Sequence, residues 1–580
     1  MRHDLAEFRK AVGRYKKKLS NVKGSCLIML VPSKEAFYSV APLSLALHEL
    51  GCDVRVELKS HNLAEMKKFW TLYFAMKSGL KNEKTSALKR FLLLSDRKCE
   101  GKLAPLFQSP DIFLNSGKAG FVGTRELPYE IRWRREPQES LLKKTAARIW
   151  DHVYDLKKKD KIGLTFELVH PSGAYPLDDY LDSYRIAWAM FECVKERVIS
   201  LSASTPRKSQ LDEPDLIGDF KATLLGLELS KHSKEPVFWA YTKLSRLLGI
   251  SWEFPSATFA IHGDGYSGRH YFGECVGYPS PNGKTRWQSP GQILYKLDYF
   301  PQTLLDPRKP RTRTAFTSTI PVPIFIKSCY VDWLKMAKKN RKIMRILDSS
   351  EYVVAEGRKF GKYETKLKIR LTKGEGRRYS RGSDVATRDL IRKDFYKRTG
   401  KYAGTSGNIP SGEAFVTPES VEGTFIGDVV VNIDRSYQLD EKNPLVIRCS
   451  GNEWRAVSGP RKILSALRVR MEEAHKGLLI QERNRSLPKA IINLKKKNFR
   501  NIGEFAINTN PRAELCDYLI VNEKIVGMIH LALGSGFDAD RSTVYHYDIV
   551  INAPRQKLNS YAVDKQGKKR WIHKNGKLLF

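Results

Sequence analysis

The stretch Ser25-Cys-Leu-Ile-Met-Leu-Val-Pro32 is a short continuous apolar run, followed by a helix-patterned segment from Glu35 to Leu50. Gly51 stops that segment, and Cys52-Asp-Val-Arg-Val-Glu-Leu58 reads as a second strand. Strand, helix and strand at this spacing form a βαβ unit, whose parallel strands must be covered by helices. The N-terminal region is therefore expected to be an α/β domain with a parallel or mixed sheet. Further strands are expected at Asp111 to Leu114, Lys161 to Leu168 and Ser256 to Ile261, and helices at Leu141 to Leu156 and Tyr180 to Ile199. No GxGxxG follows the first strand, so the α/β layer carries no dinucleotide fingerprint.

A strongly basic helical segment runs from Lys327 to Leu347, after which short strands alternate with Gly, Asn and Pro turns to Phe580. The change of character places a domain boundary near Ile326. It gives an N-terminal domain over 1–326, with insertions, and an α+β C-terminal domain over 327–580. A chain of 580 residues allows roughly two to four domains, so a single small binding module is excluded.

Charge narrows the partners. The 101 Lys and Arg residues against 63 Asp and Glu give a formal +38, a field that favours polyanions such as nucleic acid (RNA included), ribosomes or acidic membrane surfaces. Residues 301–400 hold about 26 basic and about 10 acidic side chains. Within them, Lys373-Gly-Glu-Gly-Arg-Arg-Tyr-Ser-Arg-Gly382 is a candidate phosphate-binding loop through Arg377 and Arg378, or else a solvated hairpin. The eight cysteines include no CxxC pair, which reads as reduced thiols. With no apolar h-region in Met1 to Leu19 and no bilayer-length apolar run, the expectation is a soluble, cytoplasmic protein without membrane contact.

The chemistry-bearing residues lie in the last third. Glu413 sits in a Gly/Pro-bounded segment, Asn408-Ile-Pro-Ser-Gly-Glu-Ala-Phe-Val-Thr-Pro418, and Glu504 in Gly503-Glu-Phe-Ala-Ile-Asn-Thr-Asn-Pro511. His530 lies near the end of an apolar strand, and His546 and Asp548 are two residues apart, which in a strand puts both on one face. Two Glu, two His and an Asp suit a pair of divalent ions, with carboxylates bridging and imidazoles completing each shell. Such ions, about 3.5–4 Å apart, activate water and polarise a carbonyl, so hydrolysis is the matching reaction class. A competing set, His262, Asp264 and His270, lies in a glycine-rich turn and ranks lower because a turn is a poor rigid scaffold.

In this order the motifs resemble the thermophilic-type metalloaminopeptidases, the aminopeptidase T family. The stretches that carry the resemblance are Asn408 to Pro418, Gly503 to Pro511, Glu523 to Gly534 (Glu-Lys-x-x-Gly-x-x-His-Ile/Leu-Ala-Leu-Gly) and the closing His546-x-Asp548. The tail from Val550 to Lys577 is similar as well, and the resemblance covers about residues 400–580. It implies a dimeric exopeptidase with two metal ions, zinc, cobalt or manganese, that removes N-terminal residues from peptides. Glu413, Glu504, His530, His546 and Asp548 fall on the family's ligand positions, with Glu413 or Glu504 bridging the ions and one of them serving as base.

Three departures stand out. A position often occupied by tyrosine in the family is Phe537, which has no hydroxyl to offer an oxyanion. The spacing from His530 to His546 is short, and the positive charge is unlike the family. The alternative is therefore a silent relative whose basic surface binds nucleic acid or ribosomes. An unrelated nucleic-acid reader has only the charge behind it.

Overall fold

The computed structural model describes residues 2–22, 25–30, 33–58, 121–122, 129–169, 175–204, 257–262, 276–279, 285–288, 313–374, 376–383, 406–483, 489–541 and 543–580. The strand expected at Asp111 to Leu114, Cys99, Cys275, Asp264 and His270 lie outside them. The chain divides into two compact bodies. The first comprises Met1–Ala147, Leu156–Asp264 and Lys296–Ile324, the second Arg148–Asp155, Gly265–Tyr295 and Phe325–Phe580.

In the first body, helix α1 (Leu5–Lys18) starts where Asp4 accepts a hydrogen bond from the Glu7 amide, and it buries Phe8, Ala11, Val12 and Tyr15 along one face. Strand β1 (Ser25–Leu30), helix α2 (Lys34–Glu49) and strand β2 (Asp53–Leu58) form the βαβ unit, and β1 and β2 pair in parallel. Ser33 caps α2, and Gly51 at φ +84° ends it, a left-handed conformation that favours glycine.

Within the first body, strands β3 (Phe121–Val122), β4 (Ile162–Glu167), β5 (Val198–Ser204), β6 (Ala257–His262) and β7 (Arg313–Ser318) join the same sheet in the order β7-β6-β4-β5-β2-β1-β3. All described pairs are parallel except β2 with β5, so the sheet is mixed. Helix α3 (Leu177–Glu192) stops well short of the expected Ile199. The β-branched start of Val198-Ile-Ser-Leu joins β4 as strand instead.

The basic segment from Lys327 to Leu347 is two helices rather than one, α4 (Val322–Cys329) and α5 (Trp333–Asp348). The break arises at Asp332, whose side chain accepts from the Lys335 amide and nucleates a new helix start.

Two antiparallel sheets dominate the second body. One is eight-stranded, with β8 (Tyr352–Phe360) and β9 (Tyr363–Arg370) paired at its centre. The other contains β10 (Arg381–Gly382), β11 (Glu413–Val416), β12 (Val430–Asn432), β13 (Ser436–Gln438), β14 (Ile502–Asn508), β15 (Ile529–Gly534) and β16 (His546–Ile551), in the order β10-β11-β14-β15-β16-β12-β13.

Their shared core joins Val353, Ala355, Leu367 and Ile369 of the first sheet to Ala414, Val416, Phe505, Ile507, Leu531, Leu533, Tyr547 and Ile549 of the second. Ile343, Met344 and Leu347 of α5 pack into the same core. Each fully buried aliphatic side chain of this kind contributes about 1.5–3 kcal/mol relative to exposure. The core thus fixes which face of the second sheet points inward.

Candidate metal centre

Strand periodicity builds the site. In β11, Ala414 and Val416 enter the core, so Glu413 and Phe415 project from the other face. In β14 the core takes Phe505 and Ile507, in β15 Ile529, Leu531 and Leu533, and in β16 Tyr547, Ile549 and Ile551. Glu504, His530, His546 and Asp548 are left on the same opposite face as Glu413. Register then brings them close: His530 lies across from Ala506, Asp548 across from Ala532, and His546 across from Gly534. Glu413 lies across from Asn508. All five sequence-expected residues converge on one face of four adjacent strands, and all are buried.

The polar atoms fall into two groups sharing Glu504. Glu413, Glu504 and His530 form one, and Glu504, His546 and Asp548 the other, with candidate ligand atoms in each within 4.8 Å of one another. His530 Nε2 lies 3.6 Å from Glu413 Oε2 and 3.5 Å from Glu504 Oε1. His546 Nε2 lies 3.3 Å from Glu504 Oε2 and 3.2 Å from Asp548 Oδ1. Two donors each about 2.0–2.1 Å from a tetrahedral ion stand about 3.3–3.4 Å apart, so these separations suit metal ligation.

The remaining ring nitrogens are already engaged. His530 Nδ1 lies 2.8 Å from Asn508 Oδ1, and His546 Nδ1 lies 2.7 Å from the Ser535 carbonyl. Partners of this kind fix the ring and turn Nε2 towards a metal. Glu413 Oε2 and Asp548 Oδ2 are buried without a hydrogen-bond partner among the described residues, and Asp548 Oδ1 has only the His546 ring, 3.2 Å away. Orphaned carboxylate oxygens are costly unless a cation meets them, so the residues present fit a divalent metal.

Electrostatics agree. Burial disfavours the charged form of Glu504, but hydrogen bonding and charge from His530 and His546 outweigh it and hold the carboxyl at about 2. Burial likewise disfavours a charged His530, yet Glu504, Asp548 and Glu413 lift it to about 9. His546 is held well above the usual imidazole range by Asp548 and Glu504, again against burial. Three crowded carboxylates thus draw protons onto both imidazoles, where a cation would otherwise sit.

Two residues that open the Glu523 to Gly534 stretch have no role in the sequence reading, yet belong to the site. Lys524 Nζ, buried, lies 2.5 Å from Glu413 Oε1 and 2.7 Å from Glu523 Oε1. Backbone bonds from the Asn510 amide to the Lys524 carbonyl and from the Gly527 amide to the Asn508 carbonyl pin this segment beside the end of β14. Burial pushes the Glu523 carboxyl up to about 8, while the two carboxylates hold the Lys524 ammonium charged despite its burial. The available signal was an adjacent acid and base inside the apolar run Leu519-Ile-Val-Asn-Glu-Lys-Ile-Val526.

The other expected residues lie elsewhere. Arg377 donates to the Asp348 and Ser350 carbonyls and pairs with Glu351. Arg378 is buried and pairs with Glu419, Asp538 and Asp540. A phosphate-binding role for this pair would require those bonds to be given up. His262 ends β6, and its companions in the competing set lie outside the described residues. Phe537 stands with its ring centroid 4.7 Å from that of Phe415 and 5.7 Å from that of His546, so an apolar wall borders the second histidine.

Among the described residues, no helix is long and apolar enough to cross a membrane. No protein-family profile matches the chain, and no curated protein matches it. Among solved structures, wild-type AmpT from Thermus thermophilus is similar at a TM-score of 0.40 and 13% identity, over 77% of this chain and 100% of that one. A likeness of that size carries no argument about activity.

Proposed function

We propose that the protein is a metal-dependent aminopeptidase that hydrolyses N-terminal residues from peptides. The observation that carries the reading is the convergence of Glu413, Glu504, His530, His546 and Asp548 into two triads joined by Glu504. The motif resemblance over residues 400–580 selects aminopeptidase among hydrolases. The proposal includes two ions, zinc, cobalt or manganese, in a cytoplasmic homodimer.

Bound ions would supply a Lewis acid for the scissile carbonyl and lower the pKa of water. In this proposal Glu504 presents one oxygen to each triad and is the shared ligand. His530 and Glu413 complete one triad, His546 and Asp548 the other. Lys524 holds Glu413 Oε1, which leaves Oε2 turned towards His530. In this proposal one of the two carboxylates, Glu413 or Glu504, would also serve as the base that takes the proton of water and passes it to the leaving amine.

Phe537 favours a second reading, a catalytically silent relative. No hydroxyl stands at that position, and an oxyanion contact is worth on the order of 10²–10³ in rate. Release of free amino acids from a mixed peptide panel separates the two. Metal-stripped protein is reconstituted with zinc, cobalt or manganese and compared with His546→Ala. Metal-dependent release absent from the variant supports the peptidase, whereas no release with any metal from folded, metal-loaded protein rejects it.

A further inference from the structure

The two triads meet different surroundings. In the triad of Glu504, His546 and Asp548, His546 Nε2 lies 3.3 Å and 3.2 Å from its two carboxylate neighbours, the spacing of donors around one ion. Asp548 Oδ2 has no hydrogen-bond partner among the described residues. Within the same set neither Asp548 nor Glu504 pairs with a lysine or arginine. In the triad of Glu413, Glu504 and His530 the corresponding separations are wider, 3.6 Å and 3.5 Å, and a cation already stands beside one ligand. Lys524 Nζ lies 2.5 Å from Glu413 Oε1, which leaves Glu413 one oxygen to offer where Asp548 can offer two.

Lys524 is fixed in that place. Glu523 Oε1 meets the ammonium at 2.7 Å, and the side chain is buried. The Asn510 amide donates to the Lys524 carbonyl and the Val526 amide to the Asn510 carbonyl, so the backbone is tied on both sides of the residue. Swinging the ammonium away would strand two buried carboxylates.

We propose that the Glu504, His546 and Asp548 triad is the tight metal site and that Lys524 makes the Glu413, Glu504 and His530 triad the weak, exchangeable one. The inference rests on the two-ion centre proposed above. Like charges repel more strongly where water is excluded, so a fixed ammonium beside Glu413 opposes a divalent ion at that triad more than at the other. A neutral donor could orient Glu413 as well, so it is the charge that separates the sites. Partners of ligating groups shift metal affinity by about 10–100-fold, and that is the expected gap. The centre then answers to metal supply: one ion is kept when divalent metal is scarce, and the pair that the proposed hydrolysis needs is complete only when metal is plentiful.

The test is zinc affinity, measured by competition with a chromophoric chelator, in full-length variants that keep one triad each. Asp548→Ala keeps the triad of Glu413, and Glu413→Ala keeps that of Asp548, so repulsion between two bound ions does not enter. The zinc Kd of Asp548→Ala is expected to exceed that of Glu413→Ala by about 10–100-fold. Lys524→Gln added to Asp548→Ala is expected to tighten zinc by at least about 10-fold, and Lys524→Arg to keep the weak value. Added to Glu413→Ala, Lys524→Gln is expected to change the Kd by no more than about 2-fold. A merely structural role for Lys524 would loosen zinc in both backgrounds. Circular dichroism checks the fold of each variant, and the two alanine variants decide the order of the sites even if a Lys524 variant does not fold.

Equal Kd values in the two alanine variants, or tighter zinc in Asp548→Ala, would overturn the proposal and leave the two-ion centre standing. Zinc that loosens in Asp548→Ala when Lys524 becomes Gln would do the same, because Lys524 would then support that triad. No zinc bound by the unaltered protein would overturn the two-ion centre itself and this proposal with it.

Discussion

Replacing Lys524 by methionine probes how the site tolerates its carboxylates. The ammonium lies between Glu413 and Glu523, and the Lys524 side chain is 1% exposed. Its removal leaves two buried carboxylates with no lysine between them, and breaking a buried pair from one side costs about 3–5 kcal/mol. Protonation limits the loss: Glu523, raised to about 8, is already largely neutral at pH 7 with Lys524 in place, so the new cost falls on Glu413, and holding that carboxyl neutral at pH 7 against an unfolded value near 4.3 costs at most about 3.7 kcal/mol. The expected deficit of the metal-stripped variant near neutrality is therefore about 3–4 kcal/mol. For a body of this size that is a fall in Tm of about 6–15 °C.

The pH dependence has a definite sign. Glu523 is already raised to about 8, and Glu413 is raised by burial against the pull of Lys524. A carboxyl with a raised folded value costs nothing below its unfolded value, and its penalty grows as pH rises towards the folded one. Without Lys524 both values rise further, so the deficit is small at pH 5 and full near pH 8. Thermal unfolding of metal-stripped protein and variant at the two pH values measures it, with Lys524→Arg expected to retain most of the stability. Equal melting at pH 8, or a larger deficit at pH 5, would refute the clamp.

Three further perturbations address neighbouring parts of the account. Phe537→Tyr, which places a hydroxyl beside His546, is expected to raise kcat by up to about 10² with little change in KM, and an unchanged or lower kcat would count against an oxyanion role. Gly503→Ala puts a Cβ within 3.0 Å of the Ser535 and Gly534 backbone. It is expected to cost about 1–3 kcal/mol in urea unfolding and to displace Glu504, so that metal content falls too. Arg378→Met strips Glu419, Asp538 and Asp540 of a common partner, with an expected loss of about 1.5–3 kcal/mol in urea unfolding.

Legibility in the sequence followed the range of the forces involved. The βαβ unit was readable because its apolar runs, the Ser33 cap and Gly51 all act within a few residues. Convergence of the five site residues rests on the two-residue period of a strand, which is why His546 and Asp548 could be placed on one face before any fold was known. Long-range partners were not readable. Lys524 meets Glu413 only because the Asn510 backbone holds its loop, and Arg378 meets carboxylates more than forty and more than a hundred and fifty residues away. The overrun of the expected Tyr180 to Ile199 helix has the same origin, since Val198-Ile-Ser-Leu becomes strand by pairing with β4.

The central claim is that one carboxylate, Glu504, joins two metal sites. Metal content after zinc reconstitution and buffer exchange, measured by elemental mass spectrometry, tests it most directly. The account predicts two ions per chain in the unaltered protein, one in Glu413→Ala and in His546→Ala, and fewer than one in Glu504→Gln. Two ions retained in folded Glu504→Gln, or none in the unaltered protein, would contradict it.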